Sequence, residues 1–144
     1  MKLFIYTPSC NKGEFYKKMG KFFAERIYRS RLPYLVNSPA TTWVVIEKDS
    51  QIIGFGSFEE TNRGIEIGDI YTIKKDTELW EIIANQMLNL IQKLNPSLIY
   101  TAIEKEKDYE YFIEQRFFIK RESKKYVFLE KKGVDERDEI AKWN

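Results

Sequence analysis

At 144 residues the chain is long enough to bury a substantial core and is of ordinary single-domain size. Hydrophobic residues make up 43% and aromatic residues 15%, which excludes an intrinsically disordered chain. Basic residues number 24 and acidic residues 22, a formal net charge of +2, which excludes a polycationic nucleic-acid binder but leaves room for a local basic face.

Missing residue types exclude whole chemistries. With no histidine, neither a Ser-His-Asp nor a Cys-His arrangement can form, and a histidine zinc site or imidazole acid–base is ruled out as well. Proton transfer must then use Asp, Glu, Tyr, Lys, Cys, a chain terminus or water. The single cysteine, Cys10, cannot close an internal disulfide, which suits a reducing compartment. The opening "MKLFIYTPSC" is too short and too polar after Tyr6 for a secretory signal, and no stretch approaches the roughly 18 apolar residues of a membrane span. The expectation is a cytoplasmic protein without a membrane partner.

In chain order, "KLFIYT" predicts a strand. "SCNKGEFYKKMGKFFAERIYRSRL" predicts a helix, with Phe15, Met19, Phe22, Phe23 and Ile27 at spacings of three and four, Ser9 or Asn11 as cap, and Pro33 helping to end it. "TTWVVIE", "IIGFGSFEE" and "IEIGDIYTI" predict three strands, joined by the turns "KDSQ" and "TNRG" into a meander. "DTELWEIIANQMLNLIQKLN", residues 76–95, predicts the longest helix, lined by Leu79, Ile83, Met87, Leu90, Ile91 and Leu94 and capped by Asp76 or Thr77. A strand ("SLIYTAIEK"), a short helix ("DYEYFIEQRFF") and a closing strand ("KKYVFLEKK") follow. Residues 133–144 read as a charged tail or a short helix. The order β-α-β-β-β-α-β-α-β indicates an α/β (α+β) domain over residues 1–132, a mixed, mostly antiparallel sheet flanked by helices.

That order, with three phrases, resembles the GNAT acyltransferase superfamily. The phrases are "WVVIEKDSQIIGFGSFEE", a strand-turn-strand with a hydrophobic-Gly-Phe opening; "IEIGDIYTI", similar to the family's fourth strand; and "YEYFIEQRFFIKRESKKYVFLEKK", similar to its closing "FYEKLGF" turn and last strand. The resemblance implies N-acyl transfer, by direct attack of an acceptor amine on the thioester of acetyl-CoA or another acyl-CoA. It implies that main-chain atoms of Ile70, Tyr71, Thr72 and Ile73 hold the pantetheine arm, with Lys74 and Lys75 beside the phosphates. It points to Asp69 or Glu66 as base and Tyr111 as acid, and places Arg26, Arg29 and Tyr34 near the acceptor. No metal site is expected.

The chain departs from the family at the loop before the long helix. The family's Arg/Gln-x-x-Gly-x-Gly/Ala loop uses glycine so that backbone N–H groups can approach a pyrophosphate at a helix N-terminus. "TIKKDTELWEII" has no glycine, and Asp76, Glu78 and Glu81 complement the positive helix end instead. Two classes of function follow. One is an acyltransferase acting on a small-molecule, protein or nucleic-acid amine. The other is a GNAT-like module that has lost CoA binding and binds or modifies nucleic acid or protein, the basic first helix (Lys12, Lys17, Lys18, Lys21, Arg26, Arg29 and Arg31 against Glu14 and Glu25) being the nucleic-acid face. An atypical donor or cofactor pose is a third form. A homodimer is compatible with either.

Overall fold

The structure, a computed structural model, describes residues 1–25, 28, 32, 35 and 37–133. Its elements are β1 (Lys2–Tyr6), α1 (Lys12–Ala24), β2 (Thr41–Lys48), β3 (Gln51–Glu60), β4 (Ile65–Thr72), a tight turn at Ile73–Lys75, α2 (Thr77–Lys93), β5 (Leu98–Glu104), α3 (Glu110–Glu114), β6 (Phe118–Glu122) and β7 (Tyr126–Lys132). The sheet has seven strands in the order β1-β2-β3-β4-β5-β7-β6. β4 and β5 are parallel, whereas β1–β2, β2–β3, β5–β7 and β6–β7 are antiparallel. The expected mixed, mostly antiparallel sheet with helices is thus observed, with one strand more than the expected order.

That strand is β6, "FIKRE", every residue of which is exposed. It buries no face, so it carries no hydrophobic alternation to read, and backbone pairing with β7 defines it. α1 is shorter than its periodicity suggests. Glu25 leaves the helix with extended backbone (φ −75°, ψ 132°), and Asn11 rather than Ser9 caps the start, its Oδ1 accepting the Glu14 N–H at 3.2 Å.

The described chain divides into two compact units, the first comprising Met1–Glu59 and Gly68–Met87. On one face of its strands, Tyr6, Trp43, Val45 and Phe55 pack with Phe15, Met19 and Phe22 of α1. Rings meet edge-on or tilted, Phe22–Phe55 at 4.9 Å and Phe15–Trp43 at 5.5 Å between centroids. Each such buried side chain contributes roughly 1.5–3 kcal/mol. On the other face α2 sits close to β3. A Cβ on Gly56 would lie 2.4 Å from Met87 Sδ, and one on Gly54 would lie 2.7 Å from Ile83 Cδ1, so these glycines make room for the helix. Asp49 (φ 52°) and Ser50 (φ 62°) both adopt positive φ, as a two-residue type I′ hairpin between β2 and β3 requires.

The second unit comprises Glu60–Ile67 and the described residues from Leu88 onward. The first half of β4 with β5, β7 and β6 forms its part of the sheet, and Phe112 of α3 packs on Phe117 at 5.2 Å between centroids. Gly64 (φ 148°) turns the chain into β4 where an added Cβ would meet the Leu98 carbonyl oxygen at 2.2 Å. Arg63 donates to the buried Glu130 carboxylate at 2.8 Å and stacks over the Tyr100 ring at 4.4 Å. No helix among the described residues is long and apolar enough to cross a membrane.

Candidate functional site

The first half of β4 lies in the second unit. Ile65, Glu66 and Ile67 pair with Ile99, Tyr100 and Thr101 of β5, and the buried Thr101 hydroxyl donates to the Ile67 carbonyl at 3.0 Å. Thr101 takes a buried position in the Ile99–Thr101–Ile103 alternation, and a polar residue there is the one sequence signal that could have marked this contact. Glu66 is exposed.

The second half of β4 lies in the first unit. Asp69 is half-buried and Ile70 is buried. The Tyr71 ring packs against Phe55 (5.2 Å), Phe22 (5.6 Å) and Tyr28 (6.2 Å), so its side chain serves the core. Thr72 is extended (φ −132°, ψ 141°) and leads into the turn, where Ile73, Lys74 and Lys75 are exposed. Both lysines adopt left-handed backbone, with φ 61° for Lys74 and 50° for Lys75, at a cost of about 1–2 kcal/mol per non-glycine residue.

Asp76 then starts α2. Its Oδ1 accepts the Leu79 N–H at 3.0 Å, and its carbonyl accepts the Trp80 N–H at 2.9 Å. Of the two expected caps, Asp76 fills the role and Thr77 is the first helical residue. One amide of the helix start, that of Leu79, is therefore held by a carboxylate, with Glu78 in the same turn.

Tyr111 lies on α3 in the second unit, buried, its ring edge-on to Phe112 at 5.4 Å. The site candidates therefore fall into two groups, Asp69 through Lys75 in the first unit and Glu66 with Tyr111 in the second. Arg26, Arg29 and Tyr34, the acceptor-side candidates, lie outside the described residues, as do Arg31 and nearly all of the 133–144 tail. On α1, Lys18 pairs with Glu47 at 2.7 Å and sits 3.4 Å over the Phe4 ring, so it is tied to its own fold. Tyr16 is an exposed residue whose ring nevertheless packs edge-on against Phe15 and Phe23, and its hydroxyl accepts a hydrogen bond from Asn37 Nδ2 at 3.0 Å. No group of three or more metal-ligating side chains occurs among the described residues.

No family model matches the sequence, and no curated protein matches it. Solved structures do. An acyl-CoA N-acyltransferase from Pseudomonas aeruginosa aligns with a TM-score of 0.71 at 12% identity, covering 91% of this chain and 99% of that one. The GNAT acyltransferase fold is the fold of this chain. The aminoglycoside 6′-N-acetyltransferase of Enterococcus faecium has the same fold at a TM-score of 0.63 and 10% identity, over 94% of this chain and 98% of that one. The Campylobacter jejuni N-acetyltransferase PseH, solved in complex with acetyl coenzyme A, aligns at 0.59 and 17% identity, over 92% and 100%.

Proposed function

We propose that the protein is an N-acyltransferase that moves an acyl group from a pantetheine thioester to an amine, with residues 1–132 acting as one domain. The observation that carries the reading is the GNAT fold spanning 91–92% of the chain, in common with an acyl-CoA N-acyltransferase and with an N-acetyltransferase solved with acetyl coenzyme A. In the proposed reaction the amine nitrogen attacks the thioester carbonyl, the C–N bond forms and the C–S bond breaks. The proton leaving nitrogen passes to Asp69 or Glu66, directly or through water, and the departing thiolate takes a proton from Tyr111 or solvent. Asp69 is the first base candidate, being half-buried where Glu66 is exposed to solvent. Main-chain groups of Ile70–Ile73 are the proposed pantetheine contacts, with Lys74 and Lys75 as the nearby positive charges. Arg26, Arg29 and Tyr34 are the proposed acceptor-side residues.

Calorimetric titration with acetyl-CoA tests this reading. Saturable binding in the micromolar range supports it, and absence of heat at millimolar ligand contradicts it. The competing reading is a GNAT-fold module that does not bind a donor, in keeping with the Asp76 cap, and that binds nucleic acid through the basic residues of α1. Salt-sensitive oligonucleotide binding that Lys17→Glu with Lys21→Glu abolishes would support that alternative.

A further inference from the structure

An acyl-CoA donor has two recognisable parts, the acyl-pantetheine arm and a nucleotide diphosphate. The second part meets an unsuitable surface at the β4–α2 junction. A helix start binds phosphate when its first amides are open and backbone can come close. Here the Leu79 amide already bonds Asp76 Oδ1 at 3.0 Å. A phosphate taking that amide would have to displace a carboxylate and would then face it, with Glu78 also in the first turn. No glycine occurs from Asp69 to Asn144 except Gly133, so no residue of the junction offers a backbone stripped of its side chain. The two residues with the left-handed backbone that glycine adopts without strain are lysines, Lys74 and Lys75.

Nothing comparable occupies the strand that leads there. Ile70 and Tyr71 turn their side chains into packed surroundings, so any donor contact they make is through main chain and is indifferent to charge. The misfit is therefore confined to the diphosphate end.

From this geometry we infer that the donor is an acyl-pantetheine thioester recognised through its acyl and pantetheine portions, with the nucleotide diphosphate of CoA contributing little to recognition because Asp76 caps the Leu79 amide and places its charge, with that of Glu78, at the helix start. The inference rests on the acyl-transfer reading above and narrows its donor class. Donors whose pantetheine carries some other distal group become substrates on an equal footing with acyl-CoA. Reaction balance is unchanged: the acyl C–S bond breaks, the C–N bond forms, the amine proton goes to base or water, and the pantetheine thiol leaves protonated.

The test compares acetyl-CoA with acetyl-pantetheine as donors to the full chain, following free thiol release with a panel of amines. The two kcat/KM values should agree within about tenfold, since discrimination requires contacts made to one donor and absent from the other. A preference for acetyl-CoA beyond about tenfold, or inhibition by adenosine 3′,5′-bisphosphate competitive with it, overturns the inference and leaves acyl transfer standing. Asp76→Asn supplies a second readout, because Asn caps as well as Asp but carries no charge. It should raise the acetyl-CoA to acetyl-pantetheine kcat/KM ratio by roughly fivefold, the factor expected from relieving about one unit of repulsion near solvent. A ratio that falls in Asp76→Asn also overturns the inference. Thiol release from neither donor with any amine contradicts the acyl-transfer reading itself, and this inference falls with it.

Discussion

At the scale of single residues, Asp76 separates charge from capping. Its side chain satisfies one amide that the helix leaves unpaired, so Asp76→Ala should cost about 1 kcal/mol in denaturant unfolding, with Asp76→Asn close to the parent. Equal losses in the two variants would show that the carboxylate charge, not the hydrogen bond, holds the helix start. Lys74 makes the opposite case. With φ at 61° it occupies backbone that favours glycine, so Lys74→Gly should stabilise the fold by up to about 1 kcal/mol, and a loss of stability would contradict the conformation. Tyr6 gives a pH signature. Burial raises its phenol above the ordinary value of 10.0; the Lys18 charge opposes the shift, while Glu14, Glu47 and Cys10 add to it. The folded state then keeps the proton to higher pH than the unfolded chain does. That contribution is complete below the unfolded value and is lost as pH rises through the folded one. Relative to Tyr6→Phe, the parent should therefore lose stability from about pH 10 upward, measured by urea unfolding across the alkaline range. Residue chemistry of this kind was partly legible in the sequence. Asp76 was one of two cap candidates, with Thr77, from its place before a periodic run, and the missing glycines of the junction could be read directly. The left-handed lysines could not, because nothing in "IKKD" marks positive φ.

At the scale of elements, the contact between β3 and α2 rests on two absent side chains. Gly56→Ala places a methyl group 2.4 Å from Met87 Sδ and 3.0 Å from Ile83 Cγ2, and it should cost about 1–3 kcal/mol with the fold retained. Thermal unfolding checks this, and an unchanged midpoint would mean that α2 stands further from the sheet than the structure has it. The glycine-phenylalanine alternation of "GFG" was visible as a motif. Its physical reason was not, because close approach of a helix is a tertiary fact that one strand's sequence cannot state. Long amphipathic elements were the most legible: α2 lies within the expected residues 76–95, ending at Lys93, which leaves Leu94 past the helix and exposed. β6 was the least legible. Its five exposed residues have no buried face to impose a period of two, so only its partner defines it.

At the scale of the molecule, strand order and helix placement specify the GNAT fold at 9–12% identity to several solved structures, so fold information here lies in pattern rather than in shared residues. The mixed sheet could be read because a long helix between β4 and β5 implies a parallel crossover, which the register confirms over Ile65–Ile67 and Ile99–Thr101. The site was less legible than the fold for a physical reason. Glu66 and Asp69 sit on β4 and Tyr111 on α3, some forty residues later in the chain, and their roles depend on a bound thioester and amine rather than on any local pattern. Acyl transfer is tested most directly by amine-dependent thiol release from acetyl-CoA, with mass detection of the acylated product. N-acyl transfer predicts saturable release that requires the amine, and with Asp69 as the base the rate falls by about 10²–10⁴ in Asp69→Asn, the range for loss of a general base. Binding of acetyl-CoA with no amine-dependent thiol release and no acylated product across small amines, peptides and nucleosides would contradict it.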